Sequence, residues 1–165
     1  DNPLAEIILK FDVTPTDANI SGLGKNNAAF GAMLRAGEDA DDADIHFRWG
    51  PSVGALFAYR NEKGGEPGYA KGASGFTSAP ELRLIYDGSG ARMYYRKASS
   101  DPWELFTSHT IKIENNEIFL GIAAYSQNTD ANGKPAFVEM LGSAQINLGD
   151  DVDLSDVDYD IANAS

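Results

Sequence analysis

Four basic side chains alternate with the apolar residues of three short segments: Arg35, His46, Arg48 and Arg60. Successive side chains of an extended strand point to opposite faces, so these four lie opposite the main apolar set of each segment. If the segments are neighbours in one sheet, the four side chains form a positive surface on a chain of net charge −12. Because a guanidinium group binds carboxylates as a planar fork, that surface would suit an anionic, uronate-containing polysaccharide.

The alternative is that each arginine pairs with a neighbouring aspartate or glutamate on a solvated face. Exposed pairs of that kind contribute only ~0–1 kcal/mol, so the arginines would then be structurally incidental. The two hypotheses differ in whether Arg35, Arg48 and Arg60 converge, and in whether nearby carboxylates neutralise them.

Aromatic residues give a second criterion, because sugar rings dock on aromatic faces through their C–H surfaces. Tyr69 lies beside Lys71 in a glycine-rich stretch predicted to be a loop, where a residue is rarely needed for the core. Tyr125 has the parity opposite to its apolar neighbours and is expected to face outward, whereas Trp49 and Tyr59 share the core parity. The predicted ligand-binding set is therefore Arg35, His46, Arg48, Arg60, Tyr69, Lys71 and Tyr125.

An acidic run from 38 to 44 lacks apolar neighbours and is predicted to be a loop. It is either a solvated turn or a structural calcium site, since calcium prefers carboxylate oxygen ligands. Asp39, Asp41 and Asp42 are the candidate ligands. The spacing does not match the twelve-residue Asp-x-Asp-x-Asp-Gly loop.

The sequence lacks the residues that several classes of function need. The chain has no cysteine and two histidines, which excludes thiolate chemistry and argues against a multi-histidine metal site. No apolar strand carries the alternating acidic residues of a retaining glycosidase. The acidic balance argues against nucleic acid as a partner, and no apolar run reaches the ~20 residues of a membrane span.

The 165 residues are punctuated by 17 glycines and 7 prolines, which separate short apolar runs. This pattern predicts an all-β fold, a two-sheet sandwich of about ten strands. The predicted strands are 4–13, 29–35, 44–49, 53–60, 82–87, 91–97, 109–113, 117–126, 136–141 and 144–148. Helix propensity favours a helix around 27–43, but Gly31 and Gly37 interrupt it and its apolar parity favours a strand.

Residues 150–165 form a separate compositional unit after a β-sandwich domain of residues 1–149. Their alternating aspartates predict an acidic edge strand or a solvated tail, with a calcium-binding segment as the alternative. The chain opens at Asp1 rather than at Met, which is typical of a processed protein or of one module of a larger multidomain protein.

Three runs resemble the laminin-G-like, or concanavalin-like, sandwich domains of secreted bacterial polysaccharide-degrading proteins. They are Gly31-Ala32-Met33-Leu34-Arg35, then 82–88 with Tyr94-Tyr95-Arg96 and Trp103-Glu104-Leu105, and 119–126 with Ala136-Phe137. The resemblance spans roughly 29–139, although 97–102 is longer than the turn usual before the tryptophan. It implies a two-sheet antiparallel jelly roll, a secreted or cell-surface location and a non-catalytic sugar-binding or adhesive role.

Three functional hypotheses follow. The first is a carbohydrate-binding module with a polysaccharide ligand. The second is a polysaccharide lyase or hydrolase, since Ile45-His46, Glu81-Leu82-Arg83 and Tyr125-Ser126-Gln127 are faintly similar to sandwich-fold lyase motifs, but in reversed order and without a Gln before the Ile. The third is a calcium-tuned adhesin domain, in which calcium would be structural.

Overall fold

Ten β-strands account for nearly all regular structure in the residues that the structure, a computed structural model, describes. Those residues are 4–11, 29–50, 54–73, 80–111, 113, 117–125 and 142–159, with backbone only for 70–73 and 124–125. The strands are β1 (Ala5–Phe11), β2 (Ala29–Arg35), β3 (Asp44–Gly50), β4 (Gly54–Arg60), β5 (Gly68–Ala73), β6 (Glu81–Tyr86), β7 (Gly90–Arg96), β8 (Glu104–Thr110), β9 (Phe119–Tyr125) and β10 (Gly142–Leu148).

The strands form two five-stranded sheets. Sheet 1 has the order β10-β1-β6-β7-β8, and sheet 2 has the order β5-β4-β3-β2-β9. Every hydrogen-bonded pair of neighbours within each sheet that the structure describes is antiparallel. The predicted all-β, two-sheet antiparallel sandwich is confirmed, and the ambiguous segment at 29–35 is a strand.

The core lies between the inner faces, where alternate residues of both sheets meet. From sheet 1 it receives Ile7, Leu9, Leu82, Leu84 and Met93, and from sheet 2 Leu34, Ile45, Phe47 and Phe57, all at most 1% exposed. Trp49 is buried as its parity predicted, and Tyr59 packs against the core. Because one face of each strand is committed to this core, the residues of opposite parity must lie on the outer faces.

Two strands differ from the sequence-based prediction. The stretch that contains Tyr69 was predicted to be a loop, but Gly68–Ala73 pairs with β4 as the edge strand β5. A Cβ at Gly68 would lie 2.5 Å from Cζ of Tyr59, so a larger residue does not fit at this position without a shift. Strand β8 begins at Glu104, ahead of the predicted 109–113. The predicted strand 136–141 lies outside the described residues.

The segment after β10 is described up to residue 159, and this part contains no edge strand. Gly149–Asp151 forms one turn of 3₁₀ helix, and residues 152–159 then continue without a strand. Nη1 of Arg83 donates to Asp156 at 2.6 Å, and Nη2 donates to the carbonyl oxygen of Asp153. Arg83 lies on the outer face of sheet 1 because its neighbours Leu82 and Leu84 face the core. The acidic segment is therefore bound to that face by ionic hydrogen bonds.

The described segments contain no helix with the length and apolarity required to cross a membrane.

Candidate functional site

The outer face of sheet 2 collects the predicted basic residues through the pairing of β2, β3 and β4. Asp44 pairs with Arg35 on one side and with Arg60 on the other. We call these three residues the arginine row. Neighbouring strands are separated by ~4.8 Å, so the arginines of the row are two strand spacings apart with the carboxylate between them.

A second row runs parallel to the first and is displaced from it by two residues on each of β2, β3 and β4. His46 of β3 pairs with Met33 of β2 and with Ala58 of β4, and Ala58 pairs with Tyr69 of β5. The small Ala58 side chain leaves a depression between His46 and Tyr69. Arg48 follows on β3 after a further two residues.

The two rows and Arg48 line a cavity of about 280 Å³, which we call the outer-face cavity. Five of the seven predicted ligand-binding residues contribute to it: Arg35, His46, Arg48, Arg60 and Tyr69. For Lys71 and Tyr125 the structure describes only the backbone, which pairs with Phe57 and Ala29 respectively.

Positive charge exceeds negative charge in this cavity. Its described lining includes three guanidinium groups and one carboxylate, that of Asp44. Nε of Arg60 lies 3.9 Å from Oδ2 of Asp44, beyond hydrogen-bond distance. Nη1 of Arg60 donates to the carbonyl oxygen of Gly65 at 2.7 Å, and Nη2 of Arg35 donates to that of Asp39. These uncharged acceptors orient the two guanidinium groups, while the carboxylate of Asp44 attracts Arg60 and that of Asp39 attracts Arg35.

Hydrogen-bonding capacity remains on two of these arginines. Among the described residues, the Nε atoms of Arg35 and Arg60 are buried and have no hydrogen-bond partner. An unsatisfied buried donor of this kind costs ~1–3 kcal/mol, more when it carries charge. A ligand with acceptor oxygens could recover part of this free energy by re-orienting the two side chains.

Tyr69 supplies the exposed aromatic face. Its side chain is 64% exposed, although it lies in a strand and not in the predicted loop. The guanidinium carbon of Arg48 lies 6.0 Å from the ring centroid, at the outer limit of a cation–π contact. The ring of Tyr69 thus gives the cavity an exposed aromatic surface, of the kind on which a sugar ring can dock.

The candidate calcium ligands form a separate acidic cluster. Oxygens of Asp39, Asp41 and Asp42 lie within 4.8 Å of one another. The Nζ atom of Lys63 lies 2.6 Å from Asp39, 3.2 Å from Asp42 and 4.0 Å from Asp41. Hydrogen bonds to Asp39 and Asp42 raise the pKa of Lys63, and the hydrogen bond from Lys63 lowers the pKa of Asp39. The ammonium group of Lys63 is therefore the cation that the described residues place against this cluster.

Two residues of this region were absent from the predicted ligand-binding and calcium-binding sets. Asp44 was predicted to end the acidic run and to begin the strand 44–49 on the parity of His46 and Arg48, but it was not included in the ligand-binding set. Lys63 was missed because it lies more than twenty residues from the aspartates in sequence, and no local pattern connects them.

Comparisons with known proteins give little further information. No family model matches the chain, and no curated protein matches it. A solved structure described as that of an immunostimulatory antigen and pseudo beta-1,3-glucanase of Mycobacterium tuberculosis is similar, with 12% sequence identity and a TM-score of 0.45. The similarity covers 89% of this chain and 62% of that one, so the chain spans less than two thirds of its length. Identity this low carries no information about a ligand.

Proposed function

We propose that the outer-face cavity binds an acidic polysaccharide and that the chain is a non-catalytic carbohydrate-binding module. Its parent would be a larger, secreted or cell-surface protein that acts on polysaccharides. The observation that supports this most directly is the placement of Arg35, Arg48 and Arg60 around one cavity beside the exposed ring of Tyr69. Carboxylates of the ligand would pair with guanidinium groups, while a sugar ring would lie against Tyr69.

The net negative charge of the chain makes the clustering of arginines in the cavity necessary for binding a polyanion. A chain of net charge −12 repels a polyanion that comes within about the screening length, which is ~8 Å at physiological salt, because charges further apart are screened from each other. Binding therefore requires a local excess of positive charge, which the cavity lining supplies. The described lining holds one carboxylate, that of Asp44, beside three guanidinium groups, and the carboxylate of Asp39 interacts electrostatically with Arg35 from outside the lining.

Affinity electrophoresis in gels containing polygalacturonate, alginate or neutral glucan tests the proposal. We expect retardation in the uronan gels that weakens as salt is raised, and little retardation in the neutral gel. Arg60→Ala should weaken uronan binding about tenfold, corresponding to ~1.4 kcal/mol. The matched control is Lys97→Ala, which removes an exposed positive charge just after β7 in sheet 1.

Two results would contradict the proposal. One is the absence of retardation in every gel. The other is an equal loss of affinity in Arg60→Ala and Lys97→Ala, which would indicate general charge attraction rather than a site.

A variant that keeps every charge tests whether the ligand enters the cavity, independently of electrostatic attraction. Ala58→Leu adds three carbon atoms between His46 and Tyr69, where Ala58 forms the depression. We expect it to reduce uronan affinity while leaving salt dependence unchanged. If affinity is unchanged, the ligand does not enter the cavity.

A lyase is the second candidate, favoured by one observation. His46 and Tyr69 lie in the same row of the cavity, and Nε2 of His46 is 3.3 Å from Oδ1 of Asp44. Groups of these types transfer protons in acid–base catalysis, and the arginines could bind the uronate carboxylate. A hydrolase is less consistent, because the described lining holds one carboxylate whereas the usual mechanisms need two. Ultraviolet absorbance of an unsaturated product, measured with purified protein and uronans, distinguishes a lyase from a binding module.

A further inference from the structure

Asp44 has acceptor capacity that the residues described by the structure do not use. Its carboxylate is mostly buried, at 13% side-chain exposure, and lines the outer-face cavity. Among the described residues, Nε2 of His46 lies 3.3 Å from Oδ1 of Asp44 and Nε of Arg60 lies 3.9 Å from Oδ2. A carboxylate offers about four lone-pair positions, and these contacts satisfy at most one of them with a hydrogen bond.

The remaining lone pairs of Asp44 restrict what a ligand can place beside it. A hydroxyl group can donate a hydrogen bond to a carboxylate. A carboxylate or an O-sulfate of the ligand is negatively charged and has no proton to donate. An O-acetyl ester has only acceptors, so it would leave the aspartate desolvated and unpaired.

The arginines on either side of Asp44 complete this pattern. Arg35 and Arg60 are its register partners, and each has a buried Nε without a hydrogen-bond partner among the described residues. A hydroxyl is both a donor and an acceptor, so it can donate to Asp44 and accept from a neighbouring guanidinium group. Two hydroxyls on adjacent carbons of one sugar ring match an acceptor flanked by two donors.

We propose that Asp44 determines specificity within the site by accepting hydrogen bonds from two adjacent free hydroxyls of a sugar unit. The site therefore selects acidic glycans with unsubstituted neighbouring hydroxyls and rejects the same glycans when those hydroxyls are O-acetylated or O-sulfated. This inference rests on the proposed function, because it requires that the outer-face cavity binds a glycan.

The test uses oligogalacturonates of one length, before and after chemical acetylation of O2 and O3, titrated calorimetrically into the protein. The wild-type protein should bind the unsubstituted form at least tenfold more tightly. Asp44→Ala should weaken binding of the unsubstituted form and reduce the preference to less than threefold. The control variant Asp150→Asn removes an exposed negative charge in the 3₁₀ turn after β10 and should retain the full preference.

The outcomes distinguish the two proposals. Equal binding of both forms by the wild-type protein would overturn the inference and leave the proposed function in place. An undiminished preference in Asp44→Ala would also overturn it, and because the wild-type comparison needs no variant, misfolding of Asp44→Ala cannot obscure the result. Failure of the wild-type protein to bind either form would overturn the proposed function itself, and the inference with it.

Discussion

The guanidinium group of Arg48 lies 6.0 Å from the ring of Tyr69, with strand β4 between their two strands. This contact connects the charged part of the outer-face cavity with its aromatic part. A sugar placed against Tyr69 is therefore within reach of a positive charge.

Replacing Tyr69 should affect binding without affecting the fold. The ring is 64% exposed, so Tyr69→Ala should change the free energy of unfolding by no more than ~0.5 kcal/mol. We expect the same variant to weaken uronan binding about tenfold, or ~1.4 kcal/mol, because the stacking surface is lost. Tyr69→Phe keeps that surface and should bind almost as the wild type does. If Tyr69→Ala binds normally in affinity electrophoresis, the ligand does not contact this ring.

Arg83 should be the most sensitive ion-pair residue of sheet 1. Nε of Arg83 donates to Oε2 of Glu6 at 2.7 Å, and both side chains are 2% exposed. Arg83→Met leaves the Glu6 charge buried without its partner, so we expect a loss of ~3–5 kcal/mol in urea denaturation. Asp156→Asn should cost much less, because Asp156 is 48% exposed and water can replace the contact. Comparable losses in the two variants would show that burial does not control this network.

Lys63 should control whether the acidic cluster responds to calcium. In the wild-type protein its ammonium group is already paired with Asp39 and Asp42, so added calcium should raise the melting temperature little. Lys63→Met leaves three carboxylate groups close together, and calcium should then stabilise the native state by mass action. Thermal melts with calcium or with a chelator measure both effects. A steep rise in the wild-type protein would instead support the calcium-tuned adhesin hypothesis.

His109 should make stability decrease in mild acid. Its ring lies 4.1 Å from that of Tyr59 and 5.1 Å from that of Phe57, and burial lowers its pKa below the ordinary value of 6.5. The unfolded chain thus takes up a proton at a higher pH than the native state. Stability contributed by neutral His109 is present above pH 6.5 and is lost as pH falls below it, until the folded-state pKa is reached.

The corresponding measurement compares urea denaturation of the wild-type protein and His109→Gln at pH 7.5 and 5.5. The free energy of unfolding should fall more for the wild type than for the variant, by at most ~1.4 kcal/mol per pH unit for a single proton. Carboxylates contribute to both proteins alike, so the difference isolates His109. Identical pH dependence would mean that the His109 ring is solvated in the native state.

Local alternation predicted much of this protein correctly. The parity of Ile45, Phe47 and Trp49 identified a strand with one buried face, and it placed His46 and Arg48 on the opposite face. This prediction succeeds because the two-residue period of a strand is a property of the backbone alone. Strand β5 was missed because its glycine-rich sequence has no such period, and its strand conformation depends on pairing with β4.

Buried charge could not be predicted in the same way. Alternation puts Arg83 on an outer face, where an arginine is normally solvated, yet the residue is only 1% exposed. Its burial depends on Glu6, Asp153 and Asp156, each about seventy or more residues away in sequence. Ion pairs between residues this far apart in sequence produce no local pattern from which they could be predicted.

The amino-acid sequence by itself therefore determined the class of fold and the face to which each arginine of sheet 2 points, because both follow from short-range backbone geometry. Only the tertiary structure decided that Arg35, Asp44 and Arg60 share a row, since that depends on the order and register of β2, β3 and β4. Register is set by the packing of two inner faces against a common core, to which every strand contributes at once.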